Sequence, residues 1–256
     1  MSPSPSDGEP LAEATLITHL LELRIRLLRA VVAVLVCFVP LAFFQDELFT
    51  LIARPLIEKL PEGTSLIATS VVSPFMAPLK LALIAALFAA MPYVLFQVWA
   101  FVAPGLYRHE KRFAVPLVVS SIVLFYTGAA FAYFVVFPLM FQFLASTTPI
   151  GVKMMTDIAN YLDFVLLLFF AFGLAFEVPV AVVLLAATGL VKVETLRKNR
   201  GYVLLGISVI AAFLTPPDAV SQSFMAVPMY ALYELGILFA QFIQKGRAAM
   251  PASDAS

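Results

Sequence analysis

The sequence predicts an all-α integral membrane protein, a single domain of six transmembrane helices over residues 1–256 with both termini cytoplasmic. Three observations carry that expectation. Of the 256 residues, 62% are hydrophobic and 12% charged, against about 45–50% and about 25% in soluble domains. The apolar residues gather into runs near the length of about 20 residues that a bilayer-crossing helix needs. The basic residues are spread unevenly over the segments between those runs. A mean hydropathy of +0.99 with 24 phenylalanines excludes an ordinary water-soluble enzyme, and disordered, collagen-like and coiled-coil chains as well. Cys37 is the single cysteine, so an internal disulfide or a multi-cysteine metal site is excluded.

The elements follow in order. The first run, Ala30 to Phe44, is short, and Leu27 and Leu28 extend it if Arg29 snorkels to the inner interface. The segment Met1 to Glu13 is acidic and rich in proline and serine, with no small-residue cleavage pattern after the apolar run, so a retained first span is expected rather than a cleaved leader. Residues 1–14 and 246–256 read as mobile cytoplasmic tails. In the long outer loop, Asp46 and Glu47 precede Leu48, Phe49, Leu51, Ile52, Leu56 and Ile57 at helical spacing. This reads as an interfacial helix capping the bundle, in preference to a binding loop. Pro55 is expected to kink or divide it. The second run is Leu81 to Tyr107. The third extends from Phe113 to Val152, interrupted by Pro138 and by Ser146-Thr147-Thr148-Pro149. The fourth, Phe164 to Leu190, is broken only by Glu177. Short fifth and sixth helices follow, Gly201 to Leu214 and Ala219 to Gln244, with a single re-entrant hairpin as the alternative.

With the N-terminus inside, the inner segments hold 12 basic residues, including Arg24, Arg26, Arg29, Arg108, Lys111, Arg112, Arg197, Lys198 and Arg200. The outer segments hold 4: Arg54, Lys59, Lys80 and Lys153. Loop Lys/Arg bias sets orientation, and this bias puts both ends in the cytoplasm.

Chemistry is sparse. The sequence offers no His/Cys cluster, no glycine loop to cradle phosphates, and no nucleophile–histidine–acid set. Neither an enzyme nor a metal, cofactor or nucleic-acid site is expected. What remains is acidic residues in unusual company. Glu22 lies four residues before Arg26, a spacing that forms surface ion pairs on helices. Glu110 is the lone acid among Arg108, Lys111 and Arg112, beside His109, where charge balance in a positive inner loop is the plain reading. Glu177 has 13 apolar-run residues on each side. A charge at mid-membrane costs at least about 2.5–3.5 kcal/mol and therefore usually faces a partner or cavity. Glu234 occupies the middle of the sixth run.

The joint pattern resembles TatC, the polytopic core subunit of the twin-arginine protein translocase. It is carried by His19-Leu20-x-Glu22-Leu23-Arg24-x-Arg26, Ser73-Pro74-Phe75, Gln97-x-Trp99-Ala100-Phe101-x-Ala103-Pro104-Gly105-Leu106-Tyr107-x-His109-Glu110-Lys111-Arg112, Phe172-Gly173-x-x-Phe176-Glu177-x-Pro179 and Leu214-Thr215-Pro216-Pro217-Asp218. The resemblance implies six helices, a bacterial inner-membrane location, TatA- and TatB-type single-span partners in a multi-subunit complex, and dependence on the proton gradient. It also implies recognition of twin-arginine signal peptides on proteins exported folded, with Glu22 and Glu110 as the carboxylates. Arginine forks bind carboxylates bidentately in a way lysine does not reproduce. Arg24, Arg108 and Lys111, with His109, are expected around those acids. Pro55, Phe101, Pro104 and Asp218 are read as structural positions. Glu177, Thr215 and Gln222 are expected to offer hydrogen bonds to a partner helix in lipid, where apolar contact alone gives little selectivity. A proton- or ion-coupled transporter using Glu177 is the alternative, although the sequence shows no internal repeat.

Overall fold

The computed structural model describes residues 9–57, 67–102, 111–147, 155–215 and 218–248. Helix dominates throughout. The helices are α1 (Glu9–Leu41), α2 (Gln45–Ile57), α3 (Ser73–Val102), α4 (Lys111–Phe131), α5 (Phe137–Ser146), α6 (Ile158–Ala175), α7 (Val178–Ala187), α8 (Val193–Lys198), α9 (Arg200–Leu214) and α10 (Ala219–Ala248). Among the described residues, strand-like pairing is confined to a single parallel bridge, Ile67 with Asp157. Among the described residues, five helical stretches are long and apolar enough to cross a membrane: Thr18–Ala53, Ser73–Val102, Val115–Ser146, Ile158–Ala187 and Ala219–Phe242. The shorter Arg200–Leu214 is the sixth apolar helix.

The boundaries differ from the sequence expectation where backbone chemistry outweighs the apolar pattern. α1 starts at Glu9, inside the expected tail, because Pro10 is tolerated in a first turn and Leu11 to Ala14 are good helix formers. It continues through a 3-10 turn, Ala42–Phe44, into α2. The interfacial helix is present, and its backbone remains helical through Pro55 to Ile57 rather than dividing there. Only the fifth of the two expected short helices is short. α10 has 30 residues, because the helix-favouring Gln244, Lys245 and Arg247 extend it past the apolar stretch.

Two prolines shape the middle of the chain. Before Pro138 the helix widens into a π turn, Ala132–Val136, in which the Phe137 N–H reaches back to Ala132 O. That widening accommodates the ring and the missing donor, so the third stretch continues where the sequence shows an interruption. Pro179 has the opposite result. The helix tightens at Glu177, whose N–H donates to Leu174 O at 3.0 Å, and it restarts as α7 with the proline in its first turn.

The chain divides into two compact units, Met1–Leu48 with Leu79–Ile122, and Phe49–Pro78 with Val123–Ser256. In the first, α1 and α3 run antiparallel: His19 meets Phe101, and Arg26 meets Gln97 four residues earlier on α3. Trp99 Nε1 donates to Ser121 Oγ at 2.7 Å, a buried bond that ties α3 to α4. No residue of α1's most apolar stretch is buried.

The second unit has its core around Phe125, Phe137, Met140, Leu162, Phe172, Met225 and Ile237, all fully buried. Close approach sets the α4–α6 crossing. A Cβ on Gly128 would lie 2.5 Å from Phe172 O, and one on Gly173 would lie 2.6 Å from the Phe125 ring. Val182, Ala186, Val193, Tyr233, Ile237 and Ala240 pack α7, α8 and α10 together. At the α2 end, Tyr133 Oη donates to Leu51 O at 2.9 Å and Tyr161 Oη to Ile52 O at 2.8 Å.

Candidate functional site

The acid–base constellation of α1 lies on the first unit. From Glu22 to Arg26 is one helical turn, which puts both side chains on one face, whereas Arg24 lies about 200° round from Glu22. Arg26 accordingly donates to Glu22 Oε1 from Nε at 2.9 Å and from Nη2 at 2.6 Å. Its Nη1 donates to Gln97 Oε1 at 3.2 Å. Gln97 is only 4% exposed, so a neutral amide oxygen held on α3 faces a cation held on α1. One turn earlier, the His19 ring stacks on Phe101 with centroids 4.2 Å apart and planes 17° apart.

The i,i+4 spacing of Glu22 and Arg26 thus forms the ion pair expected of it, while Arg24, which the resemblance also places near the acid, is exposed. Gln97 entered the sequence reading only as a motif letter. The signal available for it was a polar residue near the end of an apolar run, one turn from Phe101. Pro104, Arg108, His109 and Glu110 lie outside the described residues, in the segment 103–110 that joins α3 to α4.

The intramembrane acids occupy the second unit and sit apart in kind. Glu177 is half-buried at the break between α6 and α7, with Oε1 buried. Glu234 on α10 forms an ion pair with Arg200 at the start of α9. This pairing accounts for a charge in an apolar helix, since acids there are stabilised by a facing cation. The sequence reading did not connect the two residues.

Thr215 closes α9. It is buried, and its hydroxyl donates to Ala211 O at 2.8 Å. Gln222 Nε2 donates across to Ser208 O at 2.9 Å, joining α10 to α9. Asp218 caps α10, accepting from Ser221 N–H at 2.7 Å, and that backbone bond holds its carboxyl below the usual carboxylate range. Asp157 does the same for α6. It accepts from Asn160 N–H and from both Thr69 N–H and Thr69 Oγ1, and these bonds, the Thr69 backbone bond first, lower its pKa. Among the described residues, no three His, Cys, Asp or Glu side chains gather closely enough to hold a metal ion.

The model of the family "Sec-independent protein translocase protein (TatC)" matches residues 18–228. The chain belongs to the TatC family. It is 58% identical over 239 residues to the Sec-independent protein translocase protein TatC of Azotobacter chroococcum, covering 93% of each chain. It is 54% identical over 245 residues to that of Escherichia coli K12, covering 95% of this chain and 93% of the other. Its fold is similar to a crystal structure of the twin arginine translocase receptor TatC, with a TM-score of 0.80 and 36% identity over 88% of this chain and 99% of that one. The chain is thus a multi-pass membrane subunit of a Sec-independent protein translocase. The transporter alternative draws no support from these relatives, which are named as translocase proteins.

Proposed function

We propose that this subunit recognises twin-arginine signal peptides of folded proteins and nucleates the complex that exports them. The observation that carries the reading is that Glu22 already holds a guanidinium, presented on the α1–α3 face beside Phe101. A carboxylate that accepts a fork from Arg26 has the chemistry to accept one from a signal peptide. Glu110 supplies the second carboxylate, one residue before α4, in the segment that leaves α3 a residue after Phe101. Arg24, two residues from Glu22 in the sequence, and Arg108, two residues from Glu110 and next to His109, add positive charge that disfavours stray cations. With both termini cytoplasmic in the bacterial inner membrane, as the basic-residue bias requires, these acids face the compartment where signals are made.

The partner helices of TatA- and TatB-type subunits dock on the second unit. Its support is α9, which exposes Phe213 at 85% and Leu205 at 62% beside the hydrogen-bonding groups of Thr215 and Gln222, with Glu177 deeper.

A signal peptide carrying a photo-crosslinker beside its arginine pair tests the recognition site. The adducts should map to residues 19–26 and 101–110. Glu110→Gln should reduce their yield without loss of membrane insertion, and Glu110→Arg should reduce it further because like charges repel. Adducts confined to other segments in all three chains would refute the site.

A further inference from the structure

The C-terminal end of α3 is held from two sides. At about 100° per residue, Gln97 and Phe101 share one face of the helix, and Trp99 lies about 200° round from Gln97. The Gln97–Phe101 face meets α1, through Arg26 and His19. The other side meets α4, through the bond from Trp99 Nε1 to Ser121 Oγ. Trp99 and Ser121 are both buried, and they stand at the edge of the core: Val102, three residues further along α3, and Val115, six residues earlier in α4, are exposed. A buried indole N–H needs an acceptor, and α4 supplies it at the last buried layer before the segment 103–110. Loss of the hydroxyl leaves that donor unmatched, so the bond is costly to break.

We infer that Trp99 is a positioning residue for signal recognition: with Ser121 it fixes how far Glu22, carried by α1, stands from Glu110, which leads into α4. The inference rests on the reading of those two acids as ligands of the arginine pair. Glu22 moves with α1, which α3 holds at Gln97 and Phe101. Glu110 is bonded directly to Lys111, the first residue of α4, so its backbone follows wherever α4 stands. α3 is thus the spacer between the two acids: α1 packs on one side, and the Trp99 side chain holds α4 on the other. Adjacent arginines in a peptide carry their guanidinium groups at a limited range of separations. A gap held to that range binds them without first having to be ordered. A gap free to widen binds them less tightly and accepts arginines set further apart. Trp99 acts on spacing, through Ser121, and not on charge.

The test uses the full chain in lipid nanodiscs and fluorescent synthetic signal peptides bearing Arg-Arg or Arg-Gly-Arg. The native chain should prefer Arg-Arg by at least about tenfold, the range of one charged hydrogen bond. Ser121→Ala should weaken Arg-Arg binding about three- to tenfold, the range of one neutral hydrogen bond, and cut the preference to about threefold or less. Ser121→Thr keeps the hydroxyl and should keep both affinity and preference. The double variant Trp99→Phe, Ser121→Ala removes donor and acceptor together, so no buried donor is left unmatched; its preference should be flattened all the same. Ser120→Ala, whose hydroxyl donates to Leu117 O within its own helix at 2.8 Å, should leave both peptides unaffected. Weaker binding with the Arg-Arg preference intact, in Ser121→Ala and in the double variant, makes the bond merely structural and overturns the spacer. Unchanged binding in those variants, or a native chain that binds the two peptides alike, overturns it too. Glu22→Gln and Glu110→Gln without effect on either peptide overturn the site itself, and the spacer with it.

Discussion

Asp157 shows how much one surface carboxylate organises. It caps α6 through Asn160 and holds the segment at Ile67 and Thr69 through two Thr69 bonds, beside the backbone pairs Ile67 N–H to Thr156 O and Ile158 N–H to Ile67 O. Those bonds, the Thr69 backbone bond first, hold its folded pKa below the ordinary aspartate range. The stability it contributes is therefore complete above about pH 4 and is lost as pH falls through the lower folded pKa. Asp157→Asn should lower the melting temperature of the purified protein by a constant amount between pH 5 and 8, with the difference shrinking toward pH 3. A difference that grows on acidification would contradict this account. The partner Thr69 is 88 residues away, so nothing in the local sequence announces the clasp, although an aspartate before an apolar run is a legible cap. Gly128 is similar. The close approach to the Phe172 carbonyl belongs to the α4–α6 crossing, and no sequence pattern displays it. Gly128→Ala should cost about 1–3 kcal/mol by overpacking, read from unfolding in detergent micelles, whereas Gly206→Ala, facing open space, should be neutral or stabilising.

Proline chemistry decides the elements, and it was legible in kind but not in outcome. Pro138 reads as an interruption, yet a π turn absorbs it. Glu177 reads as a lone acid at the centre of one apolar span, yet Pro179 two residues later removes a donor and the helix itself breaks at the glutamate. Pro55 reads as a kink, and its consequence lies in a neighbour. Lacking an N–H, it leaves the carbonyl four residues earlier, Leu51 O, without its helical donor, and Tyr133 Oη supplies one. That pairing predicts coupling. Tyr133→Phe should cost about 1 kcal/mol in the native sequence, and appreciably less in a Pro55→Ala background, where residue 55 can donate to Leu51 itself. A double-mutant cycle on unfolding free energy measures the difference, and strictly additive effects would sink the explanation. α9 is the remaining case: its 15 residues span about 22 Å at the helical rise, short of a hydrocarbon core of about 30 Å. A photo-crosslinker at Phe213 should capture a single-span partner, and Gln222→Leu should reduce the yield while the protein still folds; capture that is absent, or indifferent to Gln222, would place the dock elsewhere.

At the scale of the molecule, the helical class, the apolar stretches and the family were readable because lipid imposes length and composition on every crossing helix. The proposed recognition site was readable only in part. Glu22 and its i,i+4 partner Arg26 were legible from their spacing, but the further bond from Arg26 to Gln97 depends on α3 passing α1, a contact 71 residues distant. The proposed orientation rests on the bias of 12 inner against 4 outer basic residues. Single cysteines at Ser70 and Glu194, both exposed, in a Cys37→Ser background should therefore label differently with an impermeant thiol reagent. Position 70 should react in intact cells and position 194 only after lysis; the reverse order would invert the topology. The central claim, that Glu22 and Glu110 together select an arginine pair, is tested most directly by signal-peptide affinity. The full chain in nanodiscs should prefer the Arg-Arg peptide over Lys-Lys by at least about tenfold, a difference of one charge-assisted fork. The Glu22→Ala, Glu110→Ala double variant should lose both that preference and most of the binding, and a double variant that keeps wild-type affinity and preference would contradict the account.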